Sequence, residues 1–372
     1  MKIGIVTEEY RPAMGGLAAQ VQGFAREARR LGHQVRIVTG GGPLPPGVER
    51  PEDVIRIGTS RTVLARGALA RRTSGAFLGG ALRDVLGRER FDVIHVHAPL
   101  SPVLPLLAVH HAPGPVVGTL HPGAPPRRGL AALLAGRTLQ RHLDRLDAAL
   151  APCRAALGAL GPRLQAEVKI VPGGVDADRF ARGRRQRVFA DGRINLLWVG
   201  TVQPKNGLAV LLAAYQRAAR QVEGLRLLVV GDGPWLARAR AAVAPGDPGE
   251  VVFAGRVPDD ALPDWYASAD VFCAPSQAPS TGVTLLEAMA AGRPLLASDV
   301  DGYRELVQHG REGELLRPAD VNAWARAILR MAREPARRVA YGERGRREAR
   351  RLAWPGVARE ILGVYRAIGV RG

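Results

Sequence analysis

Short apolar runs separated by longer amphipathic stretches organise this chain. Lys2 to Thr7 is a β-rich run, followed by a Gly- and Pro-containing loop through Gly16 and then by a helical pattern over Leu17 to Leu31. Val35 to Thr39 reads as a second strand, Val93 to Val96 as a third, and Pro115 to Leu120 as a fourth, closed by His121-Pro122-Gly123. The charged, aliphatic-poor segment 182–193 (RGRRQRVFADGR) reads as a linker, after which the pattern restarts. Strands are expected at Ile194 to Val199, Leu225 to Val230, Val251 to Ala254, Val271 to Ala274 and Pro294 to Ala297, with helices over Leu208 to Val222 and Val283 to Ala291. Strands alternating with helices imply a parallel sheet covered on both faces. The fold class is therefore α/β, with two Rossmann-like doubly wound parallel-sheet domains, residues 1–181 and 194–355. An Arg-rich solvated helix is expected at Ala336 to Arg351, and a final amphipathic helix in 356–372 is expected to pack back on the first domain.

Composition narrows this picture. A length of 372 residues suits two domains that each bury a core. With 47% hydrophobic and 23% charged residues the chain is globular, and no apolar run reaches the roughly 18 residues of a membrane span. The start, MKIGIVTEEY, lacks the apolar core of a secretory leader, so cytoplasmic residence is expected. Cys153 and Cys273, far apart, support neither a disulfide framework nor a cysteine metal cluster. The formal charge is +19, yet Lys occurs only at positions 2, 169 and 205, so the excess is almost all Arg. Spread along the chain without interleaved aromatics, it argues against nucleic acid and fits an anionic membrane surface better. Arg61 to Arg90 and Arg127 to Arg145, with Leu and Ala at helical spacing, are the segments expected to meet such a surface.

Candidate chemistry concentrates in few places. In Ser280-Thr281-Gly282-Val283-Thr284-Leu285-Leu286-Glu287 a glycine turn feeds directly into a helix, whose free amides and dipole favour a diphosphate. Glu287, about one turn inside, is placed to accept hydrogen bonds from a ribose diol. Met14-Gly15-Gly16 is a second loop compatible with phosphate, and His121 projects beyond a strand end, where ligands of such sheets sit. An ordinary capped helix, a plain loop and a structural histidine are the competing readings. His95 and His97 are expected on opposite faces of their strand end, and His110-His111 has no nearby carboxylate, so no metal motif arises. Asp299-Val300-Asp301 matches a metal-binding spacing by chance, as Asp176-Ala177-Asp178 also does, and Gly231-Asp232-Gly233 reads as a turn.

Taken together, these segments resemble family 4 glycosyltransferases, and among them the phosphatidylinositol mannosyltransferase branch, over nearly the whole chain. The resemblance is carried by Gly15-Gly16, Phe91-Asp92-Val93-Ile94-His95-Val96-His97, Val117-Gly118-Thr119-Leu120-His121 and Val171-Pro172-Gly173-Gly174-Val175-Asp176 with Phe180. In the second half it is carried by Val230 to Gly233, Phe253 to Val257, Leu286 to Gly292 and Gly310 to Pro318. It implies the GT-B architecture, with the two domains facing across a cleft, and a retaining, metal-free hexosyl transfer with no cofactor. The donor is then a nucleoside diphosphate sugar, and the acceptor a hydroxyl, a lipid-linked polyol among the candidates. By position, Glu287 would hold the ribose, Val257 with Arg256 beside it would meet the base, and Ser280 to Thr284 would face the diphosphate. Gly15 and Gly16 would cover the phosphates from the other domain, His121 would contact the transferred sugar, and Tyr10 would lie near the acceptor.

Three positions depart from the family pattern. In Gly200-Thr201-Val202-Gln203-Pro204-Lys205-Asn206-Gly207 the family's clamp Arg and Lys are replaced by Thr201 and Asn206, with Lys205 one residue early. The first acidic residue of the Glu-x7-Glu motif falls on Pro279. Two repairs are open: Lys205 reaching the phosphates, or an Arg from elsewhere. The alternatives to transfer are a catalytically degenerate homologue that binds a sugar nucleotide or a partner protein, and a sugar-nucleotide epimerase on the same fold.

Overall fold

The computed structural model describes residues 1–10, 15–41, 52–65, 68–121 and 138–371. Two compact units emerge: Met1–Gly173 with Pro355–Gly372, and Gly174–Trp354.

The first unit carries a parallel sheet of seven strands: β1 (Lys2–Thr7), β2 (Gln34–Gly40), β3 (Val54–Ile57), β6 (Val93–His97), β7 (Val116–Thr119), β8 (Ala148–Ala151) and β9 (Glu167–Ile170), in the order β3-β2-β1-β6-β7-β8-β9. The chain starts in the middle, at β1, builds outward to β3 and then crosses to β6 on the other side. That reversal places a topological switch point between β1 and β6, where in-register pairing runs from Ile3 opposite Val93 to Val6 opposite Val96. Ile3, Ile5 and Val6 are fully buried, as expected of a strand covered on both faces. The helix Gly16–Arg30 follows β1, and the helix Trp354–Ala367, which opens at the boundary between the units, brings Leu362 and Tyr365 into the buried interior.

The second unit repeats the plan with six parallel strands: β10 (Ile194–Val199), β11 (Leu225–Val230), β12 (Glu250–Gly255), β13 (Val271–Ala274), β14 (Leu295–Ser298) and β15 (Gly313–Leu316), ordered β12-β11-β10-β13-β14-β15. Alternation along β10 divides its core. Leu196 and Trp198 join Leu211, Tyr215, Trp324 and Ile328 on one face, while Leu197 joins Phe272, Tyr266, Leu286 and Met289 on the other. The switch point here lies between β10 and β13.

Three expectations need correction. Segment 182–193 is no linker but part of the second unit. Phe189 is buried and packs against Trp265, and Arg185 forms a two-pronged ion pair with Asp270 at 2.9 and 3.1 Å. Arg185 and Arg193 are ion-paired, yet all the arginines of this segment are exposed, so their charge marked solvent but not a linker. Arg61 to Arg90 is not continuously helical either: β4 (Thr59–Ala65) and β5 (Ala68–Ser74) form an antiparallel hairpin, and only Leu78–Glu89 is a helix. Much of Arg127 to Arg145 lies outside the described residues. Finally, the Arg-rich helix Pro335–Arg351 buries one face. Gly342 and Gly345 let it approach closely, since a Cβ on Gly342 would come within 2.2 Å of the Gly292 carbonyl and one on Gly345 within 3.3 Å of Met289.

Candidate functional site

In the second unit the loops that follow β10 and β13 flank the switch point. The first, Gly200 to Gly207, is fixed by backbone bonds: Gly200 N–H donates to the Val230 carbonyl at 3.0 Å and Val202 N–H to the Asp232 carbonyl at 2.9 Å. Gly231, with φ +135°, lies so close that a Cβ there would fall 1.8 Å from the Gly200 carbonyl oxygen. Gly231-Asp232-Gly233 is the extended connection after β11, with the turn following at 234–235, and it braces this loop. At the other end, Gly207 has φ +74° and its missing Cβ would sit 1.7 Å from the Pro275 carbonyl. The Gln277 N–H donates to the Lys205 carbonyl at 2.7 Å, so the two loops form one surface.

That surface ends on the helix Val283–Ala290. Its N-cap, Gly282, has φ +69° and supplies no side-chain cap. Leu285 and Leu286 donate to the Gly282 carbonyl, but no described residue accepts from the amides of Thr281, Val283 or Thr284. These are the amides that a helix cannot satisfy internally and that attract an anion. One turn in, Glu287 is half-buried and accepts from the Tyr266 hydroxyl at 2.7 Å. Burial pushes its carboxyl up to about 7, partly opposed by the Tyr266 bond and the Arg179 charge. Hydroxyls donating to this carboxylate would favour the ionised form again.

Asn206 Nδ2 donates to the Thr201 carbonyl at 2.7 Å, so this amide closes its own loop. Lys205 is exposed, and among the described residues its ammonium has no partner. Pro279 is exposed. Arg256 is exposed just beyond the end of β12, whereas Val257 packs on the core face that contains Leu286. Asp299 and Asp301 are both engaged by the Arg304 guanidinium, which offsets one of their two charges.

The first unit's switch point is furnished differently. Gly15 caps the helix that begins at Gly16 with extended backbone (φ −161°), and a Cβ on it would touch nothing within 4 Å. Among the described residues nothing therefore requires a glycine at 15. Gly15 and Gly16 are exposed, Tyr10 is buried, and Met14, Pro122 and Gly123 lie outside the described residues. Beside them Glu8, a residue with no sequence signal, accepts from Thr73 N–H at 2.9 Å, Thr73 Oγ1 at 2.6 Å and Leu104 N–H at 3.0 Å. Burial raises its pKa against those three bonds.

The histidines correct the sequence reading. Residues two apart on a strand return to the same face, so His95 and His97 do not diverge. Their rings stack at 4.6 Å between centroids, and His97 stacks in turn on His121 at 5.5 Å with Nδ1 of His97 3.2 Å from Nε2 of His121. His95 is held by the Tyr365 hydroxyl on Nδ1 (2.7 Å) and by Thr119 Oγ1 on Nε2 (2.6 Å). Burial drives all three imidazoles down, His95 to about 3, His121 to about 4 and His97 well below the ordinary range. All are neutral hydrogen-bonding groups at pH 7. Tyr365, Thr119 and Tyr266 were missed because only the folded chain brings them to their partners.

Two family models match this chain. "Glycosyltransferase Family 4" covers residues 14–179 and "Glycosyl transferases group 1" covers 193–334. A D-inositol 3-phosphate glycosyltransferase of Thermobispora bispora is 32% identical, over 94% of this chain and 89% of that protein. The chain belongs to glycosyltransferase family 4. A phosphatidyl-myo-inositol mannosyltransferase of Mycobacterium leprae is 29% identical over 100% of this chain and 98% of the relative. Among solved structures, Anabaena Alr3699/HepE in complex with UDP and glucose matches with a TM-score of 0.76 at 18% identity, covering 99% of this chain and all of that one. Sucrose-phosphate synthase from Thermosynechococcus elongatus matches with a TM-score of 0.76 at 20% identity, covering 99% and 98%. This family 4 glycosyltransferase has the GT-B fold, two parallel-sheet α/β units.

Proposed function

We propose that this glycosyltransferase moves a hexose from a nucleoside diphosphate sugar to a hydroxyl acceptor, with retention at the anomeric carbon and without a metal ion. One observation carries the reading: the uncapped Val283 helix, with its Thr281, Val283 and Thr284 amides unengaged, lies at the second unit's switch point with Glu287 one turn inside. A diphosphate on those amides places the ribose within reach of Glu287, and Lys205 supplies positive charge as the diphosphate departs. The leaving phosphate can itself help deprotonate the attacking hydroxyl, so no protein nucleophile is required. In the first unit His121 contacts the transferred sugar and Tyr10 lies near the acceptor. The relatives named phosphatidyl-myo-inositol mannosyltransferase and D-inositol 3-phosphate glycosyltransferase favour a cyclitol acceptor, lipid-linked in the first case, and the formal charge of +19 favours an anionic membrane surface.

Calorimetry with UDP, GDP and ADP tests the donor site, and binding by none of the three would refute it. Donor hydrolysis that disappears in Lys205→Ala and Glu287→Ala supports transfer. A second reading, a degenerate binding homologue, is favoured by Asn206 bonding to its own loop and by Pro279. Nucleotide binding without turnover on any sugar donor would select it.

A further inference from the structure

Tyr365, His95, His97 and His121 form one continuous array within the first unit. Tyr365 is fully buried, and among the described residues its hydroxyl meets only His95 Nδ1, so donating there is what keeps its hydrogen from being stranded. His95 then carries its own hydrogen on Nε2 and gives it to Thr119 Oγ1. With both nitrogens engaged, His95 is a fixed platform against which His97 stacks, 26° from parallel.

The next contact holds one hydrogen for two nitrogens. Either His97 Nδ1 donates to His121 Nε2, or the reverse. His97 Nε2 decides between them, because it is buried and has no partner among the described residues. The reverse arrangement strands an N–H there, whereas the forward one strands only a lone pair. Buried N–H groups without an acceptor are the rarer defect among backbone groups, where under-used acceptors are better tolerated, and we carry the same ordering over to this ring. No described residue bonds His121 Nδ1, the ring's remaining nitrogen, and His121 is only half-buried.

We propose that His97 is the positioning residue of His121, donating from Nδ1 to His121 Nε2 and so holding His121 in the tautomer that offers an Nδ1 hydrogen to a ligand. The functional consequence rests on His121 contacting the transferred sugar: a neutral donor fixed in this way gives a hydrogen bond to a sugar oxygen, and only through Nδ1. His97 touches no substrate in this scheme.

A long-range proton–nitrogen correlation spectrum of the intact protein reads the tautomer directly, with the His121→Ala spectrum assigning the signals. Nδ1 protonated and Nε2 bare on His121 is the expected result, and the opposite pattern overturns the proposal. The spectrum needs no turnover, so a protein inactive as a transferase would sink the sugar-transfer reading alone. With turnover, His97→Asn, which keeps an N–H donor where Nδ1 stood, retains most of kcat. His97→Leu loses about tenfold to a hundredfold in kcat at an unchanged melting temperature, the usual scale for orienting partners. Equal kcat in the two variants would overturn the positioning role.

Discussion

The two switch points share a topology and differ in chemistry. In the second unit the loops after β10 and β13, with the helix that follows, present backbone amides, the half-buried Glu287 carboxyl and an ammonium unpaired among the described residues, a surface suited to charge. In the first, the strand ends present a stack of three neutral imidazoles, His95 and His97 buried and His121 half-buried, tied to Tyr365 and Thr119. A shared winding, with the first unit's sheet one strand longer, therefore fixes where the switch point lies but not what chemistry lines it. Whether a site handles charge or neutral hydroxyls is decided by a few side chains and by how deeply each is buried.

The sharpest way to break this contrast is to remove charge from the second unit. Lys205→Ala is expected to lower kcat by about 10²–10³, roughly 2.7–4 kcal/mol, with nucleotide affinity by calorimetry much less affected. An unchanged kcat would mean that another cation serves the phosphates. Gly207→Ala should destabilise the charged site's frame by about 3 kcal/mol in urea melts, because it combines a positive φ with a Cβ on the Pro275 carbonyl. Glu287 gives a pH-dependent test. Held at about 7 against an ordinary 4.5, its folded carboxyl keeps a proton that the unfolded chain has released, so stability falls as pH rises through that window. Glu287→Gln should therefore gain on the order of 2–3 kcal/mol near pH 8 and nothing near pH 4, read as melting temperature. Tyr365→Phe removes one buried hydrogen bond from the neutral site and should cost about 1 kcal/mol by denaturant titration. The imidazole proton shifts of His95 and His121 should stay flat from pH 5 to pH 8, and a titration inside that range would erase the contrast.

Strands buried on both faces were the most legible part of the sequence. β1, β10, β11 and β13 run where the apolar runs place them, since no surface alternation blurs their ends. The hairpin β4–β5 was not legible, because Arg and Leu recurring at helical spacing say nothing about an antiparallel partner. Arginine content misled twice, at 182–193 and at Pro335–Arg351, where the arginines stay at the surface while Phe189 in the one, and Tyr341, Ala349 and two close-packing glycines in the other, anchor the segment to the core. Within the candidate sites, the Gly282 turn and Glu287 could be found from local pattern. Tyr266, 21 residues from Glu287, and Tyr365, 270 residues from His95, could not, because only folding sets those partners side by side.

The first unit is discontinuous in sequence: Met1–Gly173 is completed only by residues 355–372, whose Leu362 and Tyr365 belong to its interior. The second unit is one unbroken stretch. During synthesis, which runs from the amino end at about 5–20 residues per second, the unit begun first is the one finished last. Its sheet, complete by Ile170, must wait with the seat for Tyr365 open until the whole of the other unit has been made.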